Sequence, residues 1–531
     1  MSTAFSSRSA QTILQALRQG QEVALIDLRD EAQFASGHPL FAANIAFSRL
    51  EIEIGDRVPR LSAPVTLYDN GEGLTQLAAH RLQQLGYSDV ALLEGNLDGW
   101  RQAGGELFID VNSPSKAFGE LVDSRNPTPS LTAEEVDALL KGKQDVVVLD
   151  SRRFDEYQTM SIPGAISVPG GELALRIKDL APSAQTTVIV NCAGRTRSII
   201  GTQSLINTGI SNPVYALRNG TIGWTLAGQP LEHGQSRRYG ALSDDGRQLA
   251  RLAARRLADR AGVARIDVAT LARWQQDETR TSYLFDVRDP AEYEAGHLPA
   301  SRPVPGGQLV QETDHYASVR GARLVLVDNE GVRADMTASW LAQMGWEVAV
   351  LDGLSPTALS ETGQWKPRAV APSGLEEVAI QELADWLQQG GTRIIDFTAS
   401  ASFVQQHIPG AAWLTRAALL ADPSLLPAAE RYVVTCGSSL LARFAWQDVA
   451  SLTDKPVYVL SGGDSAWFSA GYPRQTGEEG LLIARQDRYR RPYEGLDNSL
   501  QAMQAYLDWE YGLVAQLERD GTHGFFVLGS D

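Results

Sequence analysis

Cysteine is nearly absent. Only Cys192 and Cys436 occur in 531 residues. So thin a supply excludes a disulfide scaffold and fits a reducing compartment. The seven histidines are scattered, with no clustered Cys or carboxylate companions, so no metal-ligand spacing exists and no metal is expected. No apolar run approaches the roughly 20 residues of a membrane span, so no membrane partner is expected. The opening MSTAFSSRSAQTILQALRQG lacks the basic-then-apolar layout of a signal peptide, and the expectation is a cytoplasmic protein. Basic residues are outnumbered, 47 against 64 acidic, and the net charge of −17 disfavours nucleic acid as a partner. No segment is of low complexity. A chain this long exceeds one core and calls for about three or four domains.

What is present is repetition. Four apolar runs end in an aspartate: Asp27, Asp150, Asp286 and Asp396. An aromatic follows each within a short helical stretch, at Phe34, Tyr157, Tyr293 and Phe403. A second β-rich run ends 42, 42, 42 and 40 residues after those aspartates, at Asp69, Cys192, Asp328 and Cys436. An amphipathic helix and a short strand ending at Gly95, Gly220, Gly353 or Gly462 come next. Trp100, Trp224 and Trp467 then follow in three of the four repeats. Strands alternating with helices at this spacing call for an α/β fold, each repeat a small parallel sheet flanked by helices. The boundaries read as 8–111, 130–233, 264–366 and 375–476, with a C-terminal helical extension over 477–531.

The joins carry their own expectations. Residues 112–130 are polar and rich in Pro and Ser, a linker with one tucked turn. Residues 236–262 read as a basic amphipathic helix packing on its neighbours, and 366–374 as a short linker. In the extension, a helix over 496–521 presents Tyr506, Trp509 and Tyr511 for docking onto the body or for a dimer with a second subunit. HGFFVL at 523–528 reads as a strand.

Both cysteines fall at the end of the second β run. In repeat two, strand Thr187–Val190 leads to Cys192, then Ala193, Gly194, Arg195, Thr196 and Arg197, and a helix from Ser198. Backbone N–H groups converge on the first residue of such a loop, and the helix dipole adds positive potential. A thiol placed there beside arginines is expected to ionise more easily, and the thiolate is the nucleophile. The plainer reading is a small buried hydrophobe.

The loop Cys-Ala-Gly-Arg-Thr-Arg-Ser resembles the active-site loop of the rhodanese (sulfurtransferase) family, and the fourfold spacing extends that resemblance over roughly 8–476. The resemblance implies four tandem rhodanese-like domains. It implies that Cys192 takes a sulfane sulfur as a persulfide and passes it to a thiol or cyanide, with no cofactor beyond that covalent intermediate. Ala193, Gly194, Thr196 and Ser198 would line the substrate. Arg197, which matches the family pattern, and Arg195, where the family often has Gly, would hold an anionic donor such as thiosulfate. Asp150 and Arg152 would form a structural pair behind the loop, and Trp224 would wall the pocket or fill core. Cys436 begins a loop resembling, in three residues, that of mercaptopyruvate sulfurtransferases. With no arginine before Arg443 it reads as a possible second site, inert or secondary. Asp69 and Asp328 cannot carry sulfur and are expected to cap the following helices, leaving repeats one and three inactive. Glu330 is expected to make the repeat-three loop hostile to an anion. Three alternatives stay open: a non-enzymatic sulfur-binding or regulatory scaffold, a mercaptopyruvate-type enzyme, and a Cys-dependent phosphatase, whose loop is one residue longer.

Overall fold

A computed structural model describes residues 5–529. The first four residues of the opening stretch and the last two of the extension lie outside the described residues. Four five-stranded sheets follow one another, all with the same strand order and every pair parallel. In repeat two the order across the sheet is Ser130–Leu131, Val214–Leu217, Thr187–Asn191, Val146–Asp150 and Ile166–Ser167. The period-two rule sorts the central strand. Val188 and Val190 face Leu173, Ile177 and Leu205, while Ile189 faces Val136, Tyr157 and Trp224 on the other side. Both faces are covered, so the strand is apolar through Val188–Val190 and its loop lies at the carboxyl edge of the sheet, where open α/β sheets bind ligands. Among the described residues no helix is long and apolar enough to cross a membrane.

The aspartate ending each first strand has one purpose in three repeats. Asp27, Asp150 and Asp286 each grip the arginine two residues on, and that arginine donates to a carbonyl of the following turn. Repeat four lacks the arginine. There Asp396 lies buried near Asp464, and burial together with that second carboxyl pushes its pKa well up.

Three joins depart from expectation. Residues 112–130 are not a loose linker but contain a 13-residue helix, Ser113–Arg125, of which Ser113–Val122 is buried. Ser113, Ser115, Ala117 and Gly119 are small enough for enclosure, and a Cβ built on Gly119 would stand 2.9 Å from the Thr196 methyl. The polar composition that suggested solvent instead feeds buried ion pairs, Lys116 with Asp110 at 2.6 Å and Glu120 with Arg195. The expected 496–521 helix is two, Leu500–Tyr511 and Leu513–Asp520, broken at Gly512. Of its aromatics Tyr506 is buried against Ile222, Trp509 is half-buried and Tyr511 is exposed. Residues 523–528 form no strand. Phe526 N–H donates once to Gln343 O, and Phe525, Val527 and Leu528 pack on the core shared by repeats one and three.

The basic segment is a helix, Asp244–Arg260, packed between repeats two and three. Arg247, Arg251 and Arg255 pair with repeat-three carboxylates Glu330 and Asp352. After repeat four the extension runs along the whole body. Leu482 N–H donates to Trp413 O in repeat four, Ala32 N–H in repeat one donates to Gln486 O, and Asn126 donates to Leu528 O beside repeat two.

Candidate functional site

The Cys192 loop is held from beneath. Thr221 and Ile222, in the first turn of helix Gly220–Leu226, donate their N–H groups to the carbonyls of Cys192 and Ala193, each at 2.9 Å. Gly220 sits at φ +55°, and a Cβ there would stand 2.3 Å from the Cys192 carbonyl oxygen, so only glycine fits. Behind the loop, Asn191 donates to Asp150 at 3.0 Å, and Asp150 receives the Arg152 fork at 2.9 and 2.7 Å. Trp224 is core, its indole N–H donating to Pro230 O.

Cys192 itself is 1 % exposed. Its thiol donates to Ser198 Oγ at 3.4 Å, and Ser198 Oγ donates to Arg195 O. Burial pushes the thiol up. Arg197 and Ser198 pull it down, Glu510 opposes them, and burial prevails. The easier ionisation expected from the sequence is therefore not met in the resting site, because desolvation exceeds the help of one cation and the loop.

The two arginines have different surroundings. Arg197 forms a two-pronged pair with Glu156 at 2.8 and 2.9 Å, and with Arg152 it lines a 210 Å3 cavity that also contains Tyr493 from the extension. Burial would raise the Glu156 carboxyl, yet Arg197, with Arg152 and Arg153, holds it at about 2. Arg195 is held within the chain. Its fork grips Glu120 at 2.6 and 2.9 Å, it reaches Asp123 at 2.9 Å, and it lies over the Tyr511 ring at 4.2 Å. With Nη1 reaching Tyr511 Oη at 3.0 Å and Asn219 Oδ1 at 3.4 Å, the guanidinium forms a clamp joining loop, buried helix and extension. Ala193 is buried, Thr196 packs on Gly119, and Gly194 faces Glu510 and Tyr506.

Repeat three displays what the cradle holds. Asp328 occupies the position of Cys192, and its carboxylate accepts N–H bonds from Glu330 at 3.0 Å, Val332 at 3.0 Å and Arg333 at 2.8 Å. Burial would raise this carboxyl, but Arg333 and those N–H groups bring it below its ordinary value. Arg333 stands five residues after Asp328, as Arg197 does after Cys192, and it pairs with Glu292, the counterpart of Glu156. The sequence signal for both was available in the repeat spacing. Glu330 does not face the cradle as expected, because Arg247 and Arg251 draw its side chain outward. In repeat one, Asp69 accepts from Gly71 at 2.9 Å and Leu74 at 2.7 Å.

Cys436 is also buried. Its sulfur accepts the Ala442 N–H at 3.4 Å, burial pushes its thiol up, and the fifth loop position is Leu441 rather than arginine. Leu441 borders a 500 Å3 cavity that shares Asn112, Arg153, Glu312, Arg488 and Arg491 with the one at Arg197, so the two cavities are neighbours. A larger cavity of 980 Å3, between repeats one and three, borders neither cysteine loop.

These four sheets and their loops define a family. The rhodanese-like domain model matches residues 9–103, 132–227, 267–353 and 379–470, and the chain belongs to that family. Among solved structures, the thiosulfate sulfurtransferase of Pseudomonas aeruginosa is 64 % identical, with a TM-score of 0.97 over 99 % of this chain and all of that one. Two curated relatives match single stretches at 31 % identity. They are an HTH-type transcriptional regulator of Mycobacterium tuberculosis, over 20 % of this chain, and an uncharacterized protein of Synechocystis, over 19 %. The chain spans about half the length of each, 47 % and 55 %.

Proposed function

We propose that this protein is a sulfurtransferase that moves a sulfane sulfur from thiosulfate to a thiol or cyanide through a persulfide on Cys192. The deprotonated Cys192 sulfur attacks the outer sulfur of thiosulfate. The donor S–S bond breaks, and sulfite leaves with the bonding pair. An acceptor thiolate or cyanide then attacks the outer sulfur of the persulfide, and Cys192 departs as thiolate. N–H groups of residues 193–198 and the Arg197 charge stabilise the anionic sulfur in both steps, offsetting the burial that disfavours it.

One observation supports this reading above the rest: the Asp328 carboxylate, held by loop N–H groups at the place where repeat two puts Cys192. A loop that lowers a buried carboxyl is built for a negative charge. The 64 % identical neighbour, named as a thiosulfate sulfurtransferase, supports the same donor. Cys436, with leucine where an arginine would stand, is secondary or inert. The test is thiosulfate-to-cyanide turnover in single mutants. Cys192→Ser should abolish it, because a hydroxyl cannot form a persulfide, while Cys436→Ser should keep most of it. Equal loss in both would replace the single-site account with a relay.

A further inference from the structure

The C-terminal extension supplies a second face to the Cys192 loop. Glu510, in helix Leu500–Tyr511, is 1 % exposed although it is a carboxylic acid. Its Oε1 accepts the Tyr506 hydroxyl at 2.9 Å, and its buried Oε2 has no hydrogen-bond partner. That free oxygen lies over the loop, since a Cβ built on Gly194 would stand 3.2 Å from it. A buried, unpaired carboxyl oxygen costs stability unless something else meets it. Here it is aimed at the second residue after the nucleophile.

Charged and titratable neighbours surround it on every packed element. Its own helix gives Tyr506, and the coil before it gives Tyr493, whose ring is 5.4 Å from that of Tyr506. The buried helix gives Lys116 and Glu120, each committed elsewhere, to Asp110 and Arg195. The loop gives Arg195, Arg197 and Cys192. Burial, with Glu120 adding to it and Lys116, Tyr506 and Arg195 opposing, raises the Glu510 carboxyl to about 8. Near neutral pH the group therefore carries its proton, and a protonated carboxyl is a hydrogen-bond donor.

Resting on the sulfur-transfer reading above, we propose that Glu510 is a substrate-binding residue of the Cys192 site, its protonated carboxyl donating a hydrogen bond to the anionic sulfur donor. The extension is then part of the active site and not only a strap. Above pH 8 the carboxyl ionises, loses its donor hydrogen and repels the donor. The thiosulfate kcat/KM should climb with the Cys192 thiolate, level off near pH 8 as Glu510 loses its proton, and fall on an alkaline limb above that, because burial also holds the thiol high.

The experiment is the pH profile of thiosulfate kcat/KM for the native protein, Glu510→Gln and Glu510→Ala, with thermal unfolding as the folding control. Glutamine is isosteric, neutral and a donor at all pH values. E510Q should stay within about threefold of native at pH 7 and lose the alkaline limb, whereas E510A should raise the thiosulfate KM roughly tenfold or more, the scale of a lost hydrogen bond to a charged group. A neutral organic trisulfide, used as donor, should show no alkaline limb. A native limb that E510Q leaves in place, or an unchanged KM in a folded E510A, overturns the role of Glu510 while sulfur transfer stands. Absence of thiosulfate turnover in the native protein overturns both.

Discussion

Arg195→Ala should loosen the extension from the body. The arginine is 9 % exposed and its main partner Glu120 5 %, and the pair lies where loop, buried helix and extension meet. Removing one side of a buried ion pair costs about 3–5 kcal/mol, because the other charge is left without a partner. Part of that is recovered here. Burial already raises the Glu120 carboxyl, so it can take a proton in the mutant. The lost stacking on Tyr511 and the lost bond to Asp123, which is more exposed, add little. A net loss of about 3 kcal/mol is expected, and at 1.4 kcal/mol per decade it equals roughly a hundredfold in the local opening equilibrium. Hydrogen exchange across Leu500–Tyr511 reads that opening directly, without assuming that a four-domain chain unfolds in one step. The double mutant Arg195→Met, Glu120→Leu should recover most of the protection, because the one carboxylate it leaves unpaired, Asp123, is partly exposed. Exchange in Arg195→Ala faster by less than threefold would place the pair with ordinary surface bridges and refute the clamp.

Arg197→Ala should lower thiosulfate kcat/KM at least tenfold by removing the cation beside Cys192, a charge-assisted contact worth roughly 1.5–3 kcal/mol. Steady-state kinetics with thiosulfate and with a neutral polysulfide should show the larger loss for the anion, and equal losses would show that Arg197 acts only through Glu156. Asp328→Ala should destabilise the protein by about 2 kcal/mol, the upper end for a helix cap, because it also deprives buried Arg333 of one of its carboxylates. Urea unfolding of repeat three measures this, and Cys192 turnover should not change.

The repeat, the parallel sheets and the loop position of both cysteines were legible because they follow from local patterns with a fixed period. The Asp-x-Arg pair was legible for the same reason, its two members standing two positions apart. What closes the site was not. Arg195 finds Glu120 at 75 residues' separation and Tyr511 at 316, and nothing in a seven-residue loop motif encodes either partner. Composition reports polarity but not whether a polar group is paired in the interior, so the segment holding helix Ser113–Arg125 reads as a linker with one tucked turn. The Cys192 thiol was misjudged by the same gap. Arginines nearby in sequence argue for ionisation, whereas burial argues against it, and so does Glu510, some 300 residues later. Arg333 and Glu292 are different. They repeat the spacing of Arg197 and Glu156 and could have been found by laying the repeats over one another.

The central claim is that repeat two alone carries the sulfur, and covalent labelling tests it without an acceptor or a coupled assay. The native protein is exposed to thiosulfate, the excess removed, and the peptides containing Cys192 and Cys436 are weighed without reduction. The account predicts a gain of one sulfur atom on the Cys192 peptide, lost on adding cyanide, and none on the Cys436 peptide. Sulfur on Cys436 with none on Cys192 would contradict it, and so would the absence of sulfur from both in a protein that turns thiosulfate over.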